Sequence, residues 1–204
     1  MGAATFQRGL WNQKQSDVMR HLLRLRTFEL RQLKPIHRVT KPSVPHRAHA
    51  LGYKAKQGYV IISVAIRRGT KKVNAKHGIK YGKPSNNGIR QKRKSLSLQA
   101  MAEQKVGREY QSLRMLGSYW VAQDANSKYY EVIMVDPMHA AIRNDSKINW
   151  ICDGTSKRRE ARGKTHATKS SRAIGRGIGY KQTAGGSYAA HQRKVKKIAL
   201  RKYR

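Results

Sequence analysis

Two short patterns in this chain resemble sites that bind nucleotides. Gly163-Lys164-Thr165 has the ending of a phosphate-binding P-loop, but that motif needs a glycine five residues before its second glycine, and Arg158 stands there. Gly175-Arg176-Gly177-Ile178-Gly179 resembles a dinucleotide-binding loop, but it follows a Ser- and Arg-rich stretch instead of a strand. Both are interpreted as basic loops whose glycines let the backbone approach phosphate groups closely.

The residue types that most often carry catalysis or bind metals have structural explanations here. Cys152 is the only cysteine, and no histidine lies at a sequence spacing that would suggest a catalytic pair with it. It is therefore interpreted as a buried structural thiol. Asp136 precedes a proline, which predicts a helix N-cap. The pair His46 and His49 has no second pair of ligands near it, so phosphate contact is favoured over a metal. We therefore predict no catalytic residue, no metal site and no enzyme.

Positive charge dominates the chain and is unevenly distributed. The 204 residues include 45 Lys and Arg against 10 Asp and Glu, a formal net charge of +35. Residues 30–102 contain 18 bases and residues 161–204 contain 13, in both cases without an acid, whereas residues 103–160 contain 8 acids and 9 bases. Two uncompensated basic stretches would repel each other in a free protein, and they would bind polyanions because counterions are released from phosphates. The predicted partner is nucleic acid.

A hydrophobic core can form from only part of this chain. Apolar residues make up 38%, below the roughly 45 to 50% typical of globular domains. Blocks rich in Lys, Arg, Gly and Ser cannot bury enough apolar surface to offset ordering entropy, so we expect them to order only on nucleic acid. A single cysteine excludes an internal disulfide, and residues 1–15 contain no apolar stretch typical of a signal peptide. A soluble, intracellular protein is expected, with no membrane contact and no homo-oligomer.

The pattern after Ser16 predicts an amphipathic helix that ends before Pro35. On a helical wheel the apolar residues share one arc, and Arg20, Arg24 and Arg31 lie together on the far side. We expect the arc to pack on protein and the arginines to face nucleic acid, so that aspartate at position 22 would damage the fold. The arc contains Val18, Met19, Leu22, Leu23, Leu25, Leu30 and Leu33.

The remaining elements predict a small core. Residues 36–58 are expected to be extended, with Tyr53 as a stacking platform for a base. Alternating apolar residues predict a strand at 60–66, and turn residues between the strands at 113–123 and 129–135 predict an antiparallel hairpin. Further elements are predicted as a helix at 95–111, a short helix that Asp136 caps and that ends at 143, a strand at 148–152 and a basic helix at 188–200.

The predicted fold class is α+β, a small mixed or antiparallel sheet packed with helices, plus long basic irregular extensions. Residues 1–57 would carry the N-terminal amphipathic helix and a basic extended segment. Residues 58–152 would form the α+β core, with a basic inserted arm at 67–94. Residues 153–204 would be a basic C-terminal extension ending in a short helix.

The candidate nucleic-acid contacts are the bases of these extensions together with one tyrosine. They carry positive charge, or an aromatic ring that can stack on a base, and they lie on the polar side of the N-terminal helix or in the basic extensions. They are Arg20, Arg24, Arg31, Arg38, Lys41, Arg47, Tyr53, Lys54, Lys56, Arg67, Arg68, Lys71, Lys72, Lys83, Arg90, Lys92, Arg93, Arg162, Lys164, Lys169, Arg172, Arg176, Lys181, Arg193, Lys196, Arg201 and Arg204.

An ordered set of strings along the chain resembles one family. The strings are KQSDVMR at 14–20, RQL at 31–33, LGYKAKQGYV at 51–60, YGKP at 81–84, SYWV at 118–121, YEVI at 130–133, VDP at 135–137 with His139, AIR at 141–143, WI at 150–151, SR at 171–172, GGS at 185–187 and RKYR at 201–204. Together they are similar to the eukaryotic and archaeal large-subunit ribosomal protein family called fifteen-e, nearly from end to end.

This resemblance implies a structural constituent of the large ribosomal subunit that binds and stabilises rRNA through phosphate contacts of its basic extensions. It implies large-subunit rRNA and neighbouring large-subunit ribosomal proteins as partners, and no cofactor beyond Mg²⁺ held non-specifically through rRNA. It also implies residence in the cytoplasmic ribosome, with nuclear or nucleolar transit during assembly if the source is eukaryotic. The residue patterns alone leave open a chromatin-type DNA-compacting protein and, with less support, a basic RNA-modifying enzyme.

Overall fold

A four-stranded antiparallel sheet forms the centre of the fold, in the order β1-β2-β4-β3. The computed structural model describes residues 2–70, 83–84, 87–88, 96–175 and 177. The α+β prediction and its antiparallel sheet are confirmed. The strands are Ile36–Val39 (β1), Tyr59–Arg67 (β2), Arg114–Gln123 (β3) and Ser127–Val135 (β4).

The two central strands, β2 and β4, are apolar on both faces because helices and loops cover both sides of the sheet. They pair from Tyr59 opposite Val135 to Arg67 opposite Ser127. Ile62 and Val64 belong to one core cluster, and Ile61 belongs to the other. Side chains on a strand alternate between faces, so the apolar run of β2 supplies both halves of the core.

Six helices surround the sheet in the described part of the chain. The fourth packs its Ala102 and Val106 against one face, while Leu23 and Leu30 of the second and Ala48 of the third pack against the other. Two 3-10 helices, Asn149–Cys152 and Gly154–Ser156, follow the fifth. The α-helices are Ala3–Asn12 (α1), Asp17–Gln32 (α2), Pro45–Ala50 (α3), Leu98–Glu109 (α4), Ala140–Arg143 (α5) and His166–Ser171 (α6).

Several predicted elements match the structure closely, and others do not. Ser16 is the N-cap of α2, and β2, α4 and the β3–β4 hairpin all lie where they were predicted. The extended prediction for residues 36–58 is wrong in part, because Pro45 starts α3 from its first position. The strand predicted at 148–152 is a 3-10 helix, and α6 was not predicted. The basic helix predicted at 188–200 lies outside the described residues.

The short helix after β4 begins later than predicted. His139 is the N-cap of α5, and its Nδ1 accepts a hydrogen bond from the Ala141 amide at 3.1 Å. Asp136 instead accepts from the Met138 amide at 2.9 Å and closes the turn before the helix. An acid before proline therefore made a local turn here, which uses the same side-chain chemistry as a cap.

Helix α2 is rotated relative to the predicted orientation. Met19 and Thr27 are buried, at 3% and 4% exposure, whereas Leu22 is 50% exposed. Val18, Leu25 and several neighbours also lie at the surface. The prediction that the whole apolar arc packs on protein is therefore wrong, because the helix presents only one edge of that arc to the sheet.

Buried carboxylates tie the loops that carry basic residues to the core. Glu131 of β4 accepts hydrogen bonds from the Tyr119 hydroxyl and, at 3.0 Å, from the Ser43 amide. Glu103 of α4 accepts from Ser118 and from Thr165, the N-cap of α6. These bonds fix the chain before α3 and the chain before α6 on the two sides of the sheet.

Gly107 has a specific packing role in α4. A Cβ at this position would lie 2.3 Å from Oε1 of the buried Glu160, so any other residue would require the Glu160 side chain to shift. The glycine therefore lets the 157–165 loop reach the helix, and its low helix propensity is the cost of that close approach.

Candidate nucleic-acid interface

The polar side of α2 carries the first group of predicted contacts. Arg20 and Arg24 are exposed and make no ion pair with any acid in the described residues. Arg31 is also exposed, but its Nε donates to Asp124 Oδ2 at 3.0 Å. Hydrogen bonds from Ser127, Arg31 and Asn126 hold the pKa of Asp124 below its usual range against the opposing effect of burial. Counting only acids of the described residues, two guanidinium groups without an ion pair and one paired group therefore face outward from this helix.

A second basic surface surrounds an open groove between β1 and the start of β2. Arg38 and Lys41 are exposed along it, with Lys54 exposed nearby. The groove measures about 960 Å³. Lys56 also lines it, but its ammonium pairs with Asp145 and donates to the Ala141 carbonyl at 3.1 Å. That ion pair lowers the pKa of Asp145, so Lys56 anchors the α5 region as well as adding charge to the groove.

A third basic surface lies around α3, α6 and the N-terminal segment. Arg47, Lys164, Lys169 and Arg172 are exposed there. Lys164 belongs to the string that resembles a P-loop, and its neighbour Thr165 accepts a hydrogen bond from the Thr168 amide as the N-cap of α6. This short helix follows a loop and not a strand, so the string is a helix start and not a nucleotide-binding motif.

Three predicted contacts have other structural roles. The Tyr53 ring is 8% exposed and lies edge-on to Tyr59 at 5.7 Å between ring centroids, which argues against its stacking on a base. Arg162 donates from Nε to the Lys157 carbonyl at 2.9 Å and closes the loop before α6. Arg68 donates to the Asp124 carbonyl at 2.7 Å and joins the end of β2 to the hairpin turn.

The other predicted contacts divide between exposed positions and positions outside the described residues. Arg67 and Lys83 are exposed. Outside the described residues lie Lys71, Lys72, Arg90, Lys92, Arg93, Arg176, Lys181, Arg193, Lys196, Arg201 and Arg204.

Sequence reasoning missed a cluster of cations on aromatic rings. Lys14 Nζ lies 5.0 Å from the centre of the Trp120 ring, and Arg26 Cζ lies 5.5 Å from the Trp11 ring. His46 packs against Trp11 at 6.2 Å between ring centroids, and burial together with Arg47 and Arg8 lowers its pKa. No local pattern could have shown this cluster, because it joins α1, α2, α3 and β3 across the fold.

A metal-binding group of side chains and a membrane-spanning helix are both absent from the described ranges. Within 2–70, 83–84, 87–88, 96–175 and 177, no three His, Cys, Asp or Glu side chains are grouped to hold a metal ion. Cys152 is a free, half-buried thiol packed beside Val135 and Ile151. None of the helices described is both long and apolar enough to cross a membrane.

Comparison with known proteins decides the family. The family model described as Ribosomal L15, the L15e family, matches residues 2–191. The chain belongs to this ribosomal protein family. It is 50% identical over 204 residues to "Large ribosomal subunit protein eL15" of Chironomus tentans and 51% identical over 204 residues to that of Anopheles gambiae, covering 100% of both chains in each case. It is also 52% identical over 186 residues to the protein of the same name from Aspergillus niger, covering 91% of this chain and 92% of that one.

The family assignment confirms the resemblance found in the sequence. The strings that carried that resemblance also have structural functions. The segment 51–60 leads into β2, and 118–121 and 130–133 face each other in the hairpin.

Proposed function

We propose that this chain is a structural constituent of the large ribosomal subunit that binds and stabilises rRNA through phosphate contacts of its basic surfaces. The observation that carries the proposal is the full-length match, at about half identity, to relatives whose names place them in that subunit. Arg20, Arg24 and Arg47 agree with it, because they are exposed, form no ion pair with an acid among the described residues, and can neutralise phosphates without a dedicated pocket.

The finer parts of the proposal concern partners and place. The chain would contact large-subunit rRNA and neighbouring large-subunit ribosomal proteins, without acting as an enzyme. It would reside in cytoplasmic ribosomes and, in a eukaryotic cell, pass through the nucleolus during assembly. The buried acids support the non-catalytic role, since Glu103 and Glu131 are already occupied by hydroxyl and amide donors.

The test is the fate of a tagged copy of the full chain in cells whose ribosomes are fractionated on a sucrose gradient. We expect the tagged chain in large-subunit fractions, released by ribonuclease and not by deoxyribonuclease. Changing Arg20, Arg24 and Arg38 together to Gln should reduce its share of those fractions several-fold.

The matched control removes the same charge elsewhere, by changing the exposed Lys105, Arg108 and Lys157 to Gln. This control should stay close to the unmodified chain. Recovery of the unmodified chain with chromatin, released by deoxyribonuclease, would overturn the proposal in favour of a DNA-compacting role. Equal losses for the two triple variants would contradict the assignment of the contact surface.

A further inference from the structure

A cavity of about 560 Å³ lies between α1, α3, β3 and the loop before α6. Its apolar lining includes Trp11 and Trp120, whose rings meet edge to face at 6.3 Å. This volume falls within the range of roughly 300 to 1,000 Å³ that is typical of sites for small organic ligands. The cavity is therefore large enough for a planar ring system and presents aromatic surface to it.

The polarity of the lining changes from the mouth to the floor. Lys14, Arg47 and Lys164 line the cavity and are exposed, so their charges lie at the solvent side. Ser118 and Glu103 line it at 7% and 1% exposure and so form its floor. These three exposed cations make no ion pair with an acid in the described ranges of the chain. The fourth Lys or Arg of the lining, Arg159, is half-buried and donates to the carbonyl groups of Met115 and Lys164.

This order of groups selects a particular kind of occupant. A free phosphate would bind at the mouth and not at the floor. The floor contains the carboxyl group of Glu103, whose two oxygens already accept hydrogen bonds from Ser118 and Thr165. A purely apolar group would make no electrostatic contact with the three cations at the mouth. A neutral aromatic ring that carries phosphates on one side packs against the aromatic walls and brings no charge to the floor. Its phosphates lie beside the cations at the mouth.

We propose that this cavity receives one unstacked base of the bound RNA, with the base against Trp120 and its flanking phosphates held by Lys14, Arg47 and Lys164. The inference rests on the proposed function and adds a site for a single nucleotide to it. The Lys14 ammonium now lies over the Trp120 ring, so a stacking base takes its place. The long lysine side chain then carries that ammonium to a phosphate beside the base.

The experiment compares three RNA hairpins for binding to the full-length chain. One hairpin has a single bulged nucleotide, the second has an abasic residue in the same bulge, and the third is fully paired. Affinities are measured at one fixed salt concentration, with each of the four bases in the bulge. We expect the bulged base to bind roughly tenfold more tightly than the abasic residue, in line with the contribution of one stacked base.

Two variants test the cavity itself. Trp120→Leu keeps apolar bulk in β3 but removes the ring, and Ala50→Phe places a new ring at an exposed position that lines the cavity. Both should bring the bulged and abasic hairpins to equal affinity. Phe28→Leu is the matched control, because it removes an exposed aromatic ring outside the cavity and should keep the tenfold difference.

The outcomes separate this inference from the proposed function. Tight binding of all three hairpins with equal affinity by the unmodified chain would overturn the base site and leave general RNA binding intact. Failure to bind any hairpin would count against RNA binding itself. A tenfold preference that survives both Trp120→Leu and Ala50→Phe would show that the base is held elsewhere, which also overturns the assignment.

Discussion

Glu103 shows how a single residue is constrained by its surroundings in this fold. Burial raises the pKa of its carboxyl group above the ordinary value of 4.5, and Glu160 raises it further, while bonds from Ser118 and Thr165 and the charge of Arg159 act in the opposite direction. The folded chain therefore holds this proton more tightly than the unfolded chain does. Stability from this site is present at low pH and is lost as pH rises from about 4.5 through the raised pKa.

The loss of stability with rising pH predicts how Glu103→Gln will behave. The amide resembles the protonated acid and does not titrate, so the free energy of unfolding of the variant should fall less than that of the unmodified chain as pH rises from 4 to 8. Urea denaturation of the RNA-free full chain at a series of pH values measures the difference. Glu109→Gln, at the exposed end of the same helix, should leave the profile unchanged. Identical profiles for Glu103→Gln and the unmodified chain would contradict the buried-carboxyl explanation.

At the scale of elements, α2 shows what a helical wheel can and cannot determine. The apolar period correctly predicted a helix from its cap at Ser16, but the arc was too wide to show which part faces the sheet. Met19 and Thr27 lie against the core, whereas Leu22 lies on the outer side. The packing direction depends on contacts with Trp11 and β3, which are far away in the sequence.

The corrected orientation of α2 predicts a clear difference between two aspartate substitutions. Met19→Asp places a carboxylate in the core and should lower the free energy of unfolding by roughly 3 kcal/mol or more. Leu22→Asp places the same group at the surface and should change it by less than about 1 kcal/mol. Thermal or urea unfolding of the RNA-free chain, followed by circular dichroism, compares the pair. A larger loss for Leu22→Asp would restore the orientation that the wheel alone suggested.

Long periodic elements could be predicted from the sequence, and short ones could not. The strand β2 and the hairpin of β3 and β4 have apolar alternation and turn residues, so their type and position followed directly. The helices α3 and α6 have six residues each, which is too short for a helical period to be recognised. The apolar run at 148–152 fits a strand or a helical turn equally well, and the tertiary packing decides between them.

The candidate interface could be predicted only as a distribution of charge. Exposed bases such as Arg20 and Lys41 were identified from composition, because a charge without a nearby acid has few reasons to be buried. The base contact predicted for Tyr53 stays a prediction, and its burial beside Tyr59 could not be foreseen because an aromatic residue in a basic segment can equally belong to the core. The cavity between Trp11 and Trp120 depends on the assembly of four elements, so no local pattern indicates it.

At the scale of the whole molecule, the division of charge predicts how RNA binding responds to salt. Most acids of the core accept hydrogen bonds or form ion pairs within the protein, so the exposed bases remain available to neutralise phosphates. If the full chain contacts about ten phosphates, the slope of log K against log salt should be about −7 to −9, for single-stranded and duplex RNA respectively. Removing one contact, by Arg20→Gln, should make the slope shallower by about one.

Filter-binding or fluorescence anisotropy measurements of the full chain from 50 to 300 mM salt provide this slope. Lys105→Gln removes an equal charge from α4, outside the predicted contacts, and should leave the slope within its measurement error. A slope shallower than about −3 for the unmodified chain would indicate an interface dominated by apolar or base-specific contacts. In that case the exposed bases would serve solubility and long-range attraction, and the phosphate contacts proposed for α2 and α3 would be wrong.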